Sequence, residues 1–108
     1  MGRRLLWDVE TNGLLPTLDR IHCLHIIDVD TLEKFAFRNN KQGNDIDDGV
    51  AMLEAADMWI GHNIIGFDIK AVAIVYPHFH AGDIELRDTL VMVRLLPIDF
   101  KPLDFAAN

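Results

Sequence analysis

The chain has 108 residues, half of them hydrophobic, which is enough for one compact core and too little for two. Ten Lys and Arg residues against 17 Asp and Glu residues give a formal net charge of -7, so the composition lacks the general basic surface that is typical of nucleic-acid-binding domains. The single cysteine, Cys23, excludes an internal disulfide, and no apolar run approaches the roughly 20 residues of a membrane helix. We therefore expect one domain, a cytoplasmic location and no membrane partner.

Three strands are predicted in the first 40 residues. An apolar run over residues 3–9 indicates a buried strand, which the acidic residues Asp8 and Glu10 are expected to end. Two further strands are predicted over residues 21–27 and 34–38, joined by a tight turn. These two strands form a hairpin, so part of the sheet is expected to be antiparallel.

Helical spacing begins after residue 44. A stripe at Ile46, Val50 and Leu53 predicts a first helix, capped by Asn44 or Asp45. The elements predicted after it are a strand over residues 58–61, a helix over 66–75, a strand over 85–88 and a helix over 89–96. A strand meander followed by helix crossovers predicts an α/β domain with a mixed sheet and flanking helices.

The first strand carries two carboxylates on one face. Residues two apart in a strand project to the same side, so Asp8 and Glu10 lie side by side and repel each other. We expect a positive group between them. The alternative is that Asp8 caps the turn at Thr11 and Asn12 while Glu10 faces water.

A third carboxylate, Asp68, follows the predicted central strand. The carboxyl ends of parallel strands meet at one edge of an open α/β sheet, so Asp68 could join Asp8 and Glu10 there. Oxygen ligands of this kind suit magnesium or manganese. Two such ions can activate a water and stabilise the departing oxygen of a phosphodiester, and they would supply the positive charge that an acidic protein needs to bind a polyanion.

Two motifs resemble those of the DnaQ-like (DEDD) 3'-5' exonucleases. Leu6-Trp7-Asp8-Val9-Glu10-Thr11-Asn12-Gly13-Leu14 is similar to the first motif, and Gly61-His62-Asn63-Ile64-Ile65-Gly66-Phe67-Asp68 is similar to the second and more specific one. Val-Glu-Thr-Asn-Gly after the first Asp, and the later Arg87-Asp88-Thr89-Leu90, resemble the proofreading domain of phage family A DNA polymerases. The resemblance spans about residues 3–96.

The resemblance implies a ribonuclease-H-like fold and hydrolysis of nucleotides from the 3' end of a DNA strand. It implies two Mg²⁺ or Mn²⁺ ions, with Asp8 bridging both, Glu10 holding one of them and Asp68 the other. Asp88 matches a position that does not usually bind metal, and is expected to be structural. The residues implied to contact the single-stranded substrate are Thr11, Leu14, Asn63 and Phe67.

The third motif of that family, a Tyr or His followed by a fourth Asp, is missing. Asp99 and Asp104 have no Tyr or His at the required spacing, and the segment from His78 to Asp83 comes too early. The chain therefore resembles the N-terminal part of an exonuclease domain, whether a truncation, a split product or a remnant. A partner that supplies the remaining part of the exonuclease, or a polymerase domain, is expected, and activity of this chain alone is in doubt.

The sequence has two alternative interpretations, a zinc site and a noncatalytic module. Histidines close to Cys23 invite a zinc site, but His22 and His25 lie on opposite faces of the predicted strand, and the pair His78 and His80 lacks further ligands at motif spacing. The second is a noncatalytic module that keeps the fold and uses its acidic surface to bind protein.

Overall fold

The described part of the chain forms a six-stranded sheet with two helices. The computed structural model describes residues 2–40 and 43–90, with the backbone alone at residues 39, 40, 43 and 44. In chain order the elements are β1 (Arg4–Thr11), β2 (Ile21–Asp28), β3 (Lys34–Asn40), β4 (Gly43–Asn44), α1 (Ile46–Glu54), β5 (Met58–Gly61), a π-helical turn (Ile64–Asp68), α2 (Ile69–Val75) and β6 (Glu85–Asp88).

The sheet is mixed, with the order β4-β3-β2-β1-β5-β6. Strands β1 to β4 form an antiparallel meander, and β5 and β6 add to β1 in parallel. The parallel pairing of β1 with β5 covers only three residues of each strand, Arg4 to Leu6 against Met58 to Ile60. The predicted α/β class with a mixed sheet and flanking helices is confirmed, and the arrangement is compatible with a ribonuclease-H-like fold.

The two faces of the sheet differ in burial. Leu5, Trp7 and Val9 alternate along β1 with exposed neighbours, and they pack in one core with Val50 of α1 and Val72 of α2. Each fully buried aliphatic side chain of this core stabilises the fold by about 1.5–3 kcal/mol. The other face carries Leu6, Asp8 and Glu10, and Leu6 there remains 37% exposed.

Aromatic side chains fill the core beneath β1 and β5. Trp7 and Trp59 meet edge to face with ring centroids 5.4 Å apart, and Phe79 stacks on Trp59 at 4.9 Å. The indole N–H of Trp59 donates a 2.8 Å hydrogen bond to the carbonyl of Leu53 at the end of α1. This bond satisfies the polar end of a fully buried ring and links the helix to the central strand. Trp7 and Trp59 are therefore both core residues.

Strand boundaries differ from the predicted ones by one or two residues. Strand β1 continues past Asp8 and Glu10 to Thr11, because both acidic residues pair with β2, opposite His25 and Cys23. Cross-strand pairing therefore overrides the low strand propensity of acidic residues.

Helix boundaries also differed in detail. Asp45 occupies the N-cap position of α1 but makes no side-chain capping bond. The second helix begins with a π-helical turn at Ile64, before the predicted start. The two-residue strand β4 was not predicted. Most of the helix predicted over residues 89–96 lies outside the described residues. No helix in the described ranges is long and apolar enough to cross a membrane.

Gly49 tests the packing of α1 on the sheet. A Cβ at this position would lie 2.6 Å from Leu24 Cδ2 and 2.7 Å from Phe37 Cδ2. Gly→Ala in a helix normally stabilises by about 1 kcal/mol, but here the overlap should reverse the sign. We expect Gly49→Ala to lower the free energy of unfolding by about 1–2 kcal/mol in urea denaturation. Ala51→Gly on the exposed side of α1 is the control and should cost about 1 kcal/mol through propensity alone. A Gly49→Ala variant as stable as the wild type would contradict this packing.

Candidate active site

The candidate site lies where β1 extends beyond β5. Strand β5 ends at Gly61, so the edge of β1 facing it has no strand partner past Leu6. The carboxylate of Asp68 fills this position, and its Oδ2 accepts a 3.0 Å hydrogen bond from the backbone N–H of Val9. This buried contact joins two residues 59 positions apart. It places Asp68 beside Asp8, the residue that precedes Val9 in β1.

Burial and a like charge act together on Asp68. The side chain is 4% exposed, and its desolvation raises the pKa from 3.8 to about 6. The hydrogen bond from Val9 opposes the rise, whereas the neighbouring carboxylate of Asp8 adds to it. Asp8 and Asp68 are therefore brought together, as predicted. Keeping both ionised near neutral pH costs free energy unless a cation binds between them.

Glu10 lies two residues beyond Asp8 on the same exposed face of β1. Asp8 and Glu10 both contribute to raising the pKa of the Cys23 thiol, although burial of the thiol is the larger cause. The positive group expected between the two acidic residues is missing from the described part of the chain, because none of its ion pairs includes Asp8, Glu10 or Asp68. Within residues 2–40 and 43–90, no side chain forms an ion pair that balances the negative charge at this edge.

The loop that leads to Asp68 has a special backbone. Asn63 adopts a left-handed conformation with φ of 59°, which Asn tolerates better than most residues. Its side chain lies so close to Gly66 that a Cβ there would meet Asn63 Oδ1 at 2.3 Å. Asn63 and Gly66 thus pack closely within the turn that presents Asp68. Such turns are frequent at functional sites.

Asp88 holds this loop from the neighbouring strand β6. Its carboxylate is 3% exposed, and it accepts hydrogen bonds from the backbone N–H groups of Asn63 at 2.8 Å, Ile65 at 2.9 Å and Leu90 at 3.0 Å. The structural assignment of Asp88 therefore has a physical basis. These partners could not be predicted from the sequence, because their pairing depends on β5 and β6 being neighbours.

The residues predicted to contact substrate are spread around the same edge. Thr11 Oγ1 donates a 2.7 Å hydrogen bond to the carbonyl of Gly13 and shapes the turn after β1. Leu14 is 74% exposed in the loop that follows, and Phe67 is half-buried against the core. Leu14 is thus available to a ligand, whereas Phe67 packs mainly with the protein.

The carboxylates at this edge suit a hard divalent cation in their chemistry, because two of them converge with no neutralising partner. Their number is smaller than predicted. Across residues 2–40 and 43–90, no set of three or more His, Cys, Asp or Glu side chains is arranged to hold a metal ion. The metal set of Asp8, Glu10 and Asp68 stays a prediction, of which the structure brings two members together.

Two surface cavities are relevant to function. A cavity of about 280 Å³ adjoins Asp8, and its lining also includes the imidazoles of His25 and His62. A larger one, about 480 Å³, lies at the opposite edge of the sheet, before β5 and β6. It is lined by His78 and His80, and His78 pairs with Glu54 at 3.5 Å. Size favours the larger cavity, but the converging carboxylates favour the smaller as the active site.

Comparisons with known proteins found similarity to two DNA polymerases. A DNA-directed DNA polymerase of Escherichia phage T7 is 28% identical over 102 residues, which cover 90% of this chain and 14% of the polymerase. The structure of a family B DNA polymerase from the hyperthermophilic archaeon Pyrobaculum calidifontis matches with a TM-score of 0.69 and 18% identity. The match covers 99% of this chain and 18% of the archaeal one.

This fold occurs within a DNA polymerase. Similarity in sequence to one polymerase and in fold to another indicates a polymerase-associated domain. The chain spans only about a seventh of the T7 polymerase that it matches. No protein-family profile matches the sequence.

The raised pKa of Asp68 predicts a pH-dependent stability. Between about pH 4 and pH 6 the folded chain retains a proton that the unfolded chain has released, so the free energy of unfolding falls as pH rises through this window. Asp68→Asn removes the charge and can still accept from Val9. It should be more stable than the wild type by about 1–2 kcal/mol at pH 7, with the difference vanishing below pH 4. Urea denaturation at pH 3.5 and 7 measures this, with Asp83→Asn on the exposed loop as the control. An Asp68→Asn variant less stable than the wild type at pH 7 would refute the assignment.

Asp88 predicts a local change in the loop before Asp68. An amide in place of the carboxylate offers one acceptor oxygen to three N–H donors, and its NH₂ group faces at least one of them. We expect Asp88→Asn to cost about 1–3 kcal/mol of stability and to accelerate amide hydrogen exchange at Asn63 and Ile65. Exchange at Ile26 in β2 should change no more than global stability dictates. Unaltered exchange at Asn63 and Ile65 would show that the carboxylate does not hold the loop.

Proposed function

We propose that the chain is a metal-dependent 3'-5' exonuclease domain of the proofreading type, which hydrolyses phosphodiester bonds at the 3' end of a DNA strand. The observation that carries the proposal is the convergence of Asp8 with the buried Asp68 carboxylate beyond the end of β5, where no cationic side chain of the described residues pairs with them. The similarity to two DNA polymerases supports DNA as the nucleic acid.

Magnesium or manganese would be held by Asp8 and Asp68, with Glu10 as a further ligand, in the two-ion arrangement that the resemblance implies. When bound, the ions would act as Lewis acids on the phosphate and lower the pKa of the attacking water. They would also relieve the repulsion between the two carboxylates and reverse the rise in the pKa of Asp68.

The chain's own residues would fix the geometry of the site. The Val9 amide holds one oxygen of Asp68, which would keep this carboxylate beside Asp8 before any ligand arrives. Leu14 is exposed and apolar beside the end of β1, as expected for a residue that packs on the terminal sugar or base. Asn63 lies between β5 and the π-helical turn, and it would approach the substrate strand.

The chain would act as part of a larger assembly. The polymerase relatives are several times longer than this chain, which agrees with a partner that supplies the rest of the exonuclease or a polymerase domain. A cytoplasmic location, or the host cytoplasm for a phage protein, is part of the same proposal. The alternative, a noncatalytic module, is favoured by the absence of a third converging ligand among the described residues.

A metal titration separates the two functions. At ten times its Kd, Mg²⁺ stabilises the folded chain by about 1.4 kcal/mol, which corresponds to a rise in Tm of roughly 6 °C. We expect this rise, and Mn²⁺-dependent shortening of a 5'-labelled single strand, in the wild type. Asp8→Asn should lose both, whereas Glu33→Gln, an exposed carboxylate in the turn before β3, should lose neither.

Activity is measured with the full chain alone and with the corresponding C-terminal part of a polymerase exonuclease added in trans. A chain that neither gains stability from Mg²⁺ nor shortens the strand in either mixture is a noncatalytic module.

A further inference from the structure

The cavity beside Asp8 contains a second kind of polar group. It lies on the face of the sheet away from α1 and α2, where β1 and β5 approach their carboxyl ends. Its lining consists of Leu6, Trp7, Asp8, His25, Ile27, Gly61 and His62. No Lys or Arg belongs to this lining. The indole of Trp7 is buried in the core, so among the described lining residues the two imidazoles are the side-chain donors that an anionic ligand could reach.

The two imidazoles differ in what they already contact. His25 lies opposite Asp8 in the β1–β2 pairing, and its Nε2 is 3.0 Å from the Cys23 sulfur. His62 is exposed at the end of β5, and its Nδ1 is 2.9 Å from Thr89 Oγ1. Within residues 2–40 and 43–90, no protein atom is paired with His62 Nε2. His62 thus combines a fixed ring with one available nitrogen.

Thr89 fixes the ring of His62 from a different strand. It follows β6 directly, after Asp88. When its hydroxyl donates to His62 Nδ1 at 2.9 Å, rather than to the more distant Gly61 carbonyl at 3.5 Å, the neutral ring carries its proton on Nε2. An exposed histidine on a loop would normally sample several rotamers. A hydrogen bond to a neighbouring strand limits this freedom, so less conformational entropy is lost when a ligand binds.

We propose that His62 is a substrate-binding residue, which donates a hydrogen bond from Nε2 to a phosphate oxygen near the 3' end of the DNA strand, and that Thr89 positions it. The inference rests on the proposed function. A phosphate beside Asp8 and Asp68 would face two carboxylates, and metal ions held by these residues would supply positive charge there. A fixed N–H donor on the neighbouring strand supplies a second, directional contact, and such contacts to phosphate are stronger than neutral hydrogen bonds.

Binding is measured by fluorescence anisotropy in Mg²⁺, with a 5'-fluorescein single strand whose last linkage is a phosphorothioate. We expect His62→Ala to weaken binding about fivefold to twentyfold. Thr89→Val should weaken it by a smaller factor, and Thr89→Ser, which keeps the hydroxyl, should bind as the wild type does. His22→Ala, an exposed histidine elsewhere on β2, is the matched control and should have no effect.

A second measurement needs no variant. In NMR spectra of the wild-type chain, the ring resonances of His62 should shift when the oligonucleotide is added, and those of His80, at the opposite edge of the sheet, should not. Unchanged affinity in His62→Ala, or a His62 ring that does not respond, would overturn this inference. The proposed function would survive that result if Asp8→Asn still abolished Mg²⁺-dependent binding. A wild-type chain that binds no oligonucleotide would overturn both.

Discussion

The hydrogen bond from the Val9 amide to the Asp68 carboxylate is the interaction on which the candidate site depends. Strand β5 is shorter than β1, so an edge amide of β1 would be unpaired without it. Asp68 satisfies that amide and in the same contact is brought beside Asp8. Because a buried, unpaired N–H costs about 1–3 kcal/mol, fold stability and site geometry are coupled through one bond.

That contact explains why the loop around Asn63 is so constrained. Asp68 reaches β1 only if the chain turns sharply after Gly61, and the turn uses a left-handed Asn63 and a glycine at position 66. Asp88 and Thr89 then hold the turn from β6. The site is therefore built from three neighbouring parallel strands, β1, β5 and β6. Strand β1 supplies Asp8, the turn after β5 supplies Asp68, and Asp88 of β6 holds that turn in place.

Much of this could be predicted from the sequence. Alternation of apolar residues identified β1, β2, β3 and β5, and helical spacing identified α1. Both patterns arise because an element that buries one face repeats its apolar residues at the period of that element. The pairing of Asp8 with Asp68 followed from the rule that parallel strands end at a common edge. The extension of β1 to Thr11 could not be predicted, because it depends on the partner residues of β2. Nor could the partners of Asp88 or of His62, which are set by strand neighbours 23 to 27 residues away.

The acidic composition has a different meaning in the structure. Most carboxylates of the described residues lie on exposed positions, where water screens them, and some of these pair with arginine, as Glu85 does with Arg87. Asp28, Asp68 and Asp88 are buried. Asp28 lies 3.7 Å from Arg3 and Asp88 accepts from backbone N–H groups, whereas Asp68 lies beside a like charge and lacks a cationic partner among the described residues. Unbalanced charge at a sheet edge lowers stability, and a bound cation would restore it. This loss of stability is the physical reason to consider the site around Asp8 and Asp68 a candidate functional site.

The position of a bound cation tests this account most directly. Crystals grown with Mn²⁺ and measured at the manganese absorption edge would locate the ion by its anomalous scattering. The account predicts a peak within coordination distance, about 2.1–2.3 Å, of carboxylate oxygens from both Asp8 and Asp68. A peak in the larger cavity, between Glu54 and His78, would contradict it. So would the absence of any peak at a Mn²⁺ concentration that saturates the chain in a titration.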